Sequence, residues 1–310
     1  MAEDHESSFK WFLLISFSIS WVSFFSGVLY GMLGKSTARD VLYIFGTIGP
    51  IIAFLSLMAT YRNKEYNKNF WRRVYYPKIG PMWLVLGTVL LPIVLNMLIV
   101  VFSLFGSGPI PIIGNLVSKN GLFFLFSLIG VIGWYGYAYP VLCKRLKEPR
   151  EFKIKPFKNP HKLKKLKSLL ERIDRFIEQI VLKIQNIHKV NSWIYTGLII
   201  GALWAIWYIP IVYITGSYPQ ILGVSSFGFW EFFLLFQIQS IIISWVYEKT
   251  KNSTFVVLIF FLAEITRLLF AVPITFQIIR FVLWILIAAF IIVNELSLKL
   301  IPIPERRENT

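Results

Sequence analysis

The sequence predicts an all-α, polytopic membrane protein of about eight transmembrane helices. Three observations carry that expectation. Hydrophobic residues make up 56% of the chain and charged residues 15%, too apolar a balance for a water-soluble globule. The apolar residues come in long uncharged runs, each long enough to cross a hydrocarbon core of about 30 Å as one helix. Between the runs, Lys and Arg collect in alternate loops, as they do on the cytoplasmic side of membrane proteins.

The runs lie at about 10–33, 41–61, 82–105, 121–143, 193–214, 227–247, 254–271 and 274–294. The first follows a polar, partly acidic tail and ends without a small-residue cleavage pattern, so it is expected to stay as an anchor. The loop after the second run holds Arg62, Lys64, Lys68, Arg72, Arg73 and Lys78, and the loop after the fourth is more basic still. The loops after the third, fifth and seventh runs carry Lys119 at most. Alternation therefore places both termini in the cytoplasm of a cell that holds the chain in its membrane, with Lys35 and Arg39 a weaker basic pair outside. The chain divides into helices one to four (1–143), a basic cytoplasmic linker and heptad helix (144–192), and helices five to eight with a short tail (193–310).

A formal net charge of +16 would suit a nucleic-acid partner, but its placement argues otherwise. Most of the excess lies in the two cytoplasmic loops, where each Lys or Arg gains about 1 kcal/mol against anionic lipid headgroups. The bilayer and its headgroups are the expected partners, and nucleic acid is not. Cys143 has no second cysteine to pair with, so it fixes no redox compartment.

The cytoplasmic segment opens with KRLKEPREFKIKPFKNP, whose prolines and alternating charges suit an extended linker. Asn159 and Pro160 then provide an N-cap and first-turn residue. Beyond them Leu163, Leu166, Leu170, Ile173, Ile177, Ile180, Ile184 and Ile187 recur at spacings of three and four, a heptad seam. Such a seam could form a homodimer through residues 160–190, fold back on the cytoplasmic face of its own chain, or lie flat on lipid with Leu169, Phe176 and Val181 widening its apolar side.

Two aromatic, glycine-marked stretches stand out within the apolar runs: GWYGYAYPVL at 133–142 and GALWAIWYIP at 201–210. They resemble motifs of the CAAX-processing and bacteriocin-processing (CPBP) intramembrane protease family, which read E-E-x-G-W-R-G-Y with L-P-x-L, and W-x-x-W-H-x-P. The resemblance extends to IFGTIGPIIAFL (44–55), WRRVYYPKIGPMWLVLGTVLLP (71–92) and SWVYEKTKNSTFVVLIFF (244–261), the last preceding the place of the family's H-x-x-x-N. It implies a CPBP-type helical bundle and, for active members such as the CAAX prenyl endopeptidases, hydrolysis of a peptide bond within the membrane by a glutamate-activated water.

Position by position, the resemblance sets the paired glutamates on Gly130 and Val131, the arginine on Tyr135 and the second motif's histidine on Tyr208. The third motif's histidine falls near Phe261 and its asparagine near Ile265. All these positions are apolar or phenolic here. A general base needs an accessible pKa, a phenol titrates at about 10 when unperturbed, and zinc needs His, Cys or carboxylate ligands. The chain's three histidines are His5, His161 and His188, all in segments read as cytoplasmic. No catalytic residue of the family is intact, and no metal or cofactor is expected. Tyr135 and Tyr208 could hold a substrate carbonyl or simply fill space, and Gly133 and Gly136 could admit a neighbouring helix.

Ionisable residues at membrane depth call for partners or a purpose. Glu231, Glu264, Arg267 and Arg280 are the candidates. Glu264 and Arg267 lie three apart on one helical face; Arg267 and Arg280 stand near the ends of their runs and could snorkel. The set could be an ion-pair cluster tying runs six to eight together, a polar pocket for a peptide or headgroup, or part of an ion path. The leading expectation is a pseudoprotease that binds a membrane protein or peptide in the vacated cavity without cutting it. The alternatives are an endopeptidase using Glu264 or Glu231 as a reassigned base, and a transporter, for which the chain shows no convincing internal repeat.

Overall fold

The structure is a computed structural model, and it describes residues 4–61, 130–147, 192–214, 223–269 and 273–300, together with isolated positions between them. Runs three and most of four, the loop 62–78, and the heptad segment 160–190 with its expected dimer seam lie outside the described residues. All regular structure among the described residues is helical: α1 (Asp4–Met32), α2 (Ser36–Thr47), α3 (Gly49–Tyr61), α4 (Tyr139–Lys147), α5 (Ser192–Tyr208), α6 (Phe227–Thr250), α7 (Ser253–Leu269) and α8 (Ile274–Leu300). Among the described residues, four helices are long and apolar enough to span a membrane, at Phe9–Met32, Ser192–Tyr213, Phe227–Thr250 and Ile274–Leu296, and α2 with α3 forms a fifth, bent candidate.

The second apolar run departs from its expected form. Instead of one straight helix over 41–61, helical structure begins at Ser36 and breaks at Ile48, with a 47° bend between the two halves. The cause is local: Gly49 and Pro50 follow the break, and Pro50 has no N–H to offer the preceding turn. Thr47 Oγ1 instead donates back to Ile44 O at 2.7 Å, and the N–H groups of Ile51 and Ile52 both reach Ile48 O.

The caps of α6 and α7 are written in the sequence. Ser226 Oγ accepts from Phe229 N–H at 3.1 Å, the usual N-cap arrangement, and Lys251 closes α6 in the left-handed region at φ 52°. Asn252 Oδ1 accepts from Phe255 N–H at 2.7 Å and starts α7. Because α6 stops and α7 starts within three residues, the chain reverses there. It then returns along α7, since α8 opens beside the start of α6, where Arg280 meets Glu231. Further along both helices, Glu295 of α8 accepts from Trp245 Nε1 at 2.9 Å and pairs with Lys249 at 2.6 Å, both on α6. Glu231 and Lys249 stand about 27 Å apart at 1.5 Å per residue, so α6 and α8 run parallel and are tied at both ends.

The core lies in two patches. The larger joins α1, α3, α5, α6 and α7 around Phe12, Phe54, Trp134, Tyr135, Trp204 and Phe236; the smaller joins α5 to α8 around Trp193, Leu235, Ile242, Ala263 and Trp284. On the outside α8 shows Leu286, Phe290 and Val293, the apolar exterior expected of a helix facing lipid.

Candidate functional site

The first motif is not a regular helix. Residues Trp134–Ala138 form a five-residue π-helical turn, with Tyr139 N–H bonded to Trp134 O, leading directly into α4. Such a turn widens the helix, and it commonly marks functional positions. Here Gly133 lies against Pro50 O so closely that any side chain would strike the α3 backbone, and Gly130 faces Thr47 O in the same way. The glycine expected to admit a neighbour therefore does so at Gly133, and the neighbour is the broken second span.

The π turn aims two phenols at α6. Tyr135 Oη stands 2.6 Å from Ser240 Oγ, and Ser240 Oγ donates its one proton to Gly197 O at 2.8 Å, so Tyr135 is the donor of the first bond. Tyr139 Oη donates to Ser244 O at 3.1 Å. The two tyrosine rings stack at 5.8 Å. Ser240 and Ser244 face Gly197 and Gly201 of α5, where a Cβ on Gly197 would come within 2.8 Å of Ser244 Oγ. This small-residue seam brings α5 and α6 into near-backbone contact.

Tyr208, expected at the second motif's histidine position, ends α5 and precedes a 3-10 turn, Ile209–Tyr213, that contains Pro210. Its ring lies 4.9 Å from Phe236 and 5.8 Å from Phe232. Trp204, one turn earlier, stacks on Phe236 at 5.2 Å, leans on Phe260 at 4.7 Å and reaches Tyr135 at 6.1 Å. The structure thus does bring Tyr135 and Tyr208 into one locus, together with Gly130 and Val131 beside it. At the level where a binding cavity is expected, Trp204, Phe236 and Phe260 pack between the two tyrosines as an aromatic wall. Stacking adds about 0.5–1.5 kcal/mol per pair beyond their burial. Phe261 is half-buried against the same core, and Ile265 lies on α7 with its side chain outside the described residues.

The intramembrane charges divide into two separate places. Arg280 Nη2 donates to both carboxylate oxygens of Glu231, at 2.7 and 2.9 Å, and Nε adds a third bond at 3.0 Å. Both side chains are buried, Arg280 at 5% exposure and Glu231 at 2%. That geometry overturns snorkelling for Arg280: it is a bidentate pair in the protein interior. Glu264 is elsewhere, one turn beyond Phe260, and accepts from Gln239 Nε2 at 3.0 Å. The Arg267 side chain lies outside the described residues, so its pairing with Glu264 does too.

Ser240, Ser244, Gln239, Phe236 and Phe260 are the site residues that motif reading missed. The first two had a signal, since Gly197-x-x-x-Gly201 and Ser240-x-x-x-Ser244 are both small-residue repeats. Gln239 had none, because an amide in an apolar helix does not declare its partner.

With this geometry in view, comparison with known proteins places the chain. It is 22% identical over 307 residues to the CAAX prenyl protease 2 of Methanococcus maripaludis, a match that covers 95% of this chain and 97% of that protein. Over almost its whole length the chain is therefore similar to a CAAX prenyl protease. No family profile matches the sequence. The near end-to-end coverage means that the relation involves the whole bundle and not one shared helix pair.

Proposed function

We infer that this chain is a non-cleaving relative of the CAAX prenyl endopeptidases, a pseudoprotease of a cell membrane that engages a membrane protein or peptide without hydrolysing it. The observation that supports this reading is the aromatic wall: the positions matched to the family's glutamates, arginine and first histidine are Gly130, Val131, Tyr135 and Tyr208, and rings of Trp204, Phe236 and Phe260 pack among them. Amide hydrolysis needs a base within about 3 Å of a water and donors for the developing oxyanion. Tyr135 spends its proton on Ser240, and the buried Glu231 is bound by Arg280. Engagement of a partner then falls to the lateral faces of the bundle and the basic cytoplasmic segment. In this reading both termini are cytoplasmic, the basic loops rest on anionic headgroups, and residues 160–190 are a site of self-association.

The experiment is incubation of the purified chain, in bilayers, with a prenylated or membrane-embedded fluorescent peptide. Binding is read by anisotropy and cleavage by mass spectrometry. Binding without product is the expected result. A second reading, an endopeptidase with a reassigned base, draws on Glu264, a carboxylate at 1% exposure within one turn of the wall. Product formation that Glu264→Gln abolishes would establish that reading and dismiss the first.

A further inference from the structure

Among the described residues, a group of enclosed polar atoms has no hydrogen-bond partner: Ser16 Oγ, Ser20 Oγ and the indole nitrogens of Trp134 and Trp207. They are not scattered. Ser16 and Ser20 lie one turn apart in the middle of α1 and are both at 0% exposure. Ser20 Oγ and Ser16 O occupy the space where a side chain on Gly49 would project, so this face of α1 looks directly at the break in the second span. Trp134 approaches from the π turn. Its neighbour Gly133 lies on Pro50 O, and its ring stands 5.4 Å from Phe12, one turn before Ser16. Trp207 joins one level further along, its ring 5.6 Å from Phe24, which itself rests on Gly46.

The break makes that position unusual. Two helix ends meet at 47° in the middle of a membrane protein, and non-helical backbone at that depth persists where protein or water satisfies it. The chemistry of the group narrows the ligand. The indole N–H can only donate, and serine hydroxyls can do either, so the ligand must accept a hydrogen bond from Trp134 and exchange others, in either direction, with the two hydroxyls. The enclosure narrows it further, because Ser16, Ser20 and Trp134 are wholly covered. A peptide carbonyl or a lipid headgroup would need the helices to part. Water fits both conditions, since it is small and makes two to four hydrogen bonds to otherwise unsatisfied groups.

We propose that the break between α2 and α3 is an internal hydration site, at which water bridges Ser16 and Ser20 of α1 to Trp134 of the π turn. This inference stands apart from whether the chain cleaves peptides.

Two measurements on the full-length chain in detergent or bicelles test it. Alanine at Ser16 or Ser20 keeps α1 helical, so folding is retained. A bridging water that loses a partner lowers Tm by about 2–4 °C, and the double change S16A/S20A costs less than the sum because one water is lost only once. Unchanged or raised Tm in both single variants would mean hydroxyls facing nothing, and would overturn the proposal. The second measurement is radiolytic hydroxyl labelling in oxygen-18 water. Trp134 is expected to take up label despite its burial, whereas Trp204, equally enclosed at 1% exposure but inside the ring stack, stays unlabelled. No label at Trp134 would also overturn it.

Discussion

Breaking the Glu231–Arg280 pair is expected to be costly and lopsided. Three charge-assisted bonds at 2.7, 2.9 and 3.0 Å hold it, and both groups are within 5% of full burial. Removing one member of a buried pair typically costs about 3–5 kcal/mol, mostly because the other charge is left stranded. The two single changes strand different groups. Arg280→Met leaves a carboxylate, which can neutralise itself by taking a proton. Glu231→Gln leaves a guanidinium, which cannot lose one, and an Arg inside the membrane carries an insertion cost of about 2.5–3.5 kcal/mol on its own. Glu231→Gln should therefore destabilise by about 3–5 kcal/mol and Arg280→Met by about 1–2 kcal/mol less. The double change E231M/R280M should return to within about 2 kcal/mol of the parent, because an apolar pair of similar volume removes the desolvation penalty along with the attraction. Unfolding in bicelles by added SDS, followed by the fluorescence of the 11 tryptophans, gives each value. The reasoning is refuted if the single costs simply add in the double variant, or if Arg280→Met proves the more damaging change.

Gly133→Ala should be poorly tolerated, since the added methyl meets Pro50 O and backbone cannot step aside as a side chain can; a loss of about 1–3 kcal/mol or failure to fold is expected, read by the same titration. Tyr135→Phe should cost no more than about 0.5–1.5 kcal/mol, because Ser240 keeps its bond to Gly197 O and no buried donor is orphaned. A loss above about 3 kcal/mol would mean that Tyr135 Oη serves more than Ser240.

Much of this architecture was legible in one dimension because membrane helices are specified by local composition. Runs of about twenty apolar residues have a single way of satisfying their backbone in lipid, so α1, α5, α6 and α8 follow from the sequence. That Gly130, Val131, Tyr135 and Tyr208 are apolar or phenolic is likewise a property of residue identity alone.

What the chain order could not say is which side chains meet. The Gly49–Pro50 pair permits a break, yet that α1 packs on Gly49 and the π turn on Pro50 is visible only in the fold. Glu231 and Arg280 lie 49 positions apart, and nothing local distinguishes a paired arginine from one reaching toward headgroups. The aromatic wall is the same kind of fact: Trp204, Phe236 and Phe260 come from three helices, and whether such rings line a cavity or fill it depends on how close the helices stand. The glycine and serine seam between α5 and α6 fixes that separation, and close packing at van der Waals distance then decides everything that the space can hold.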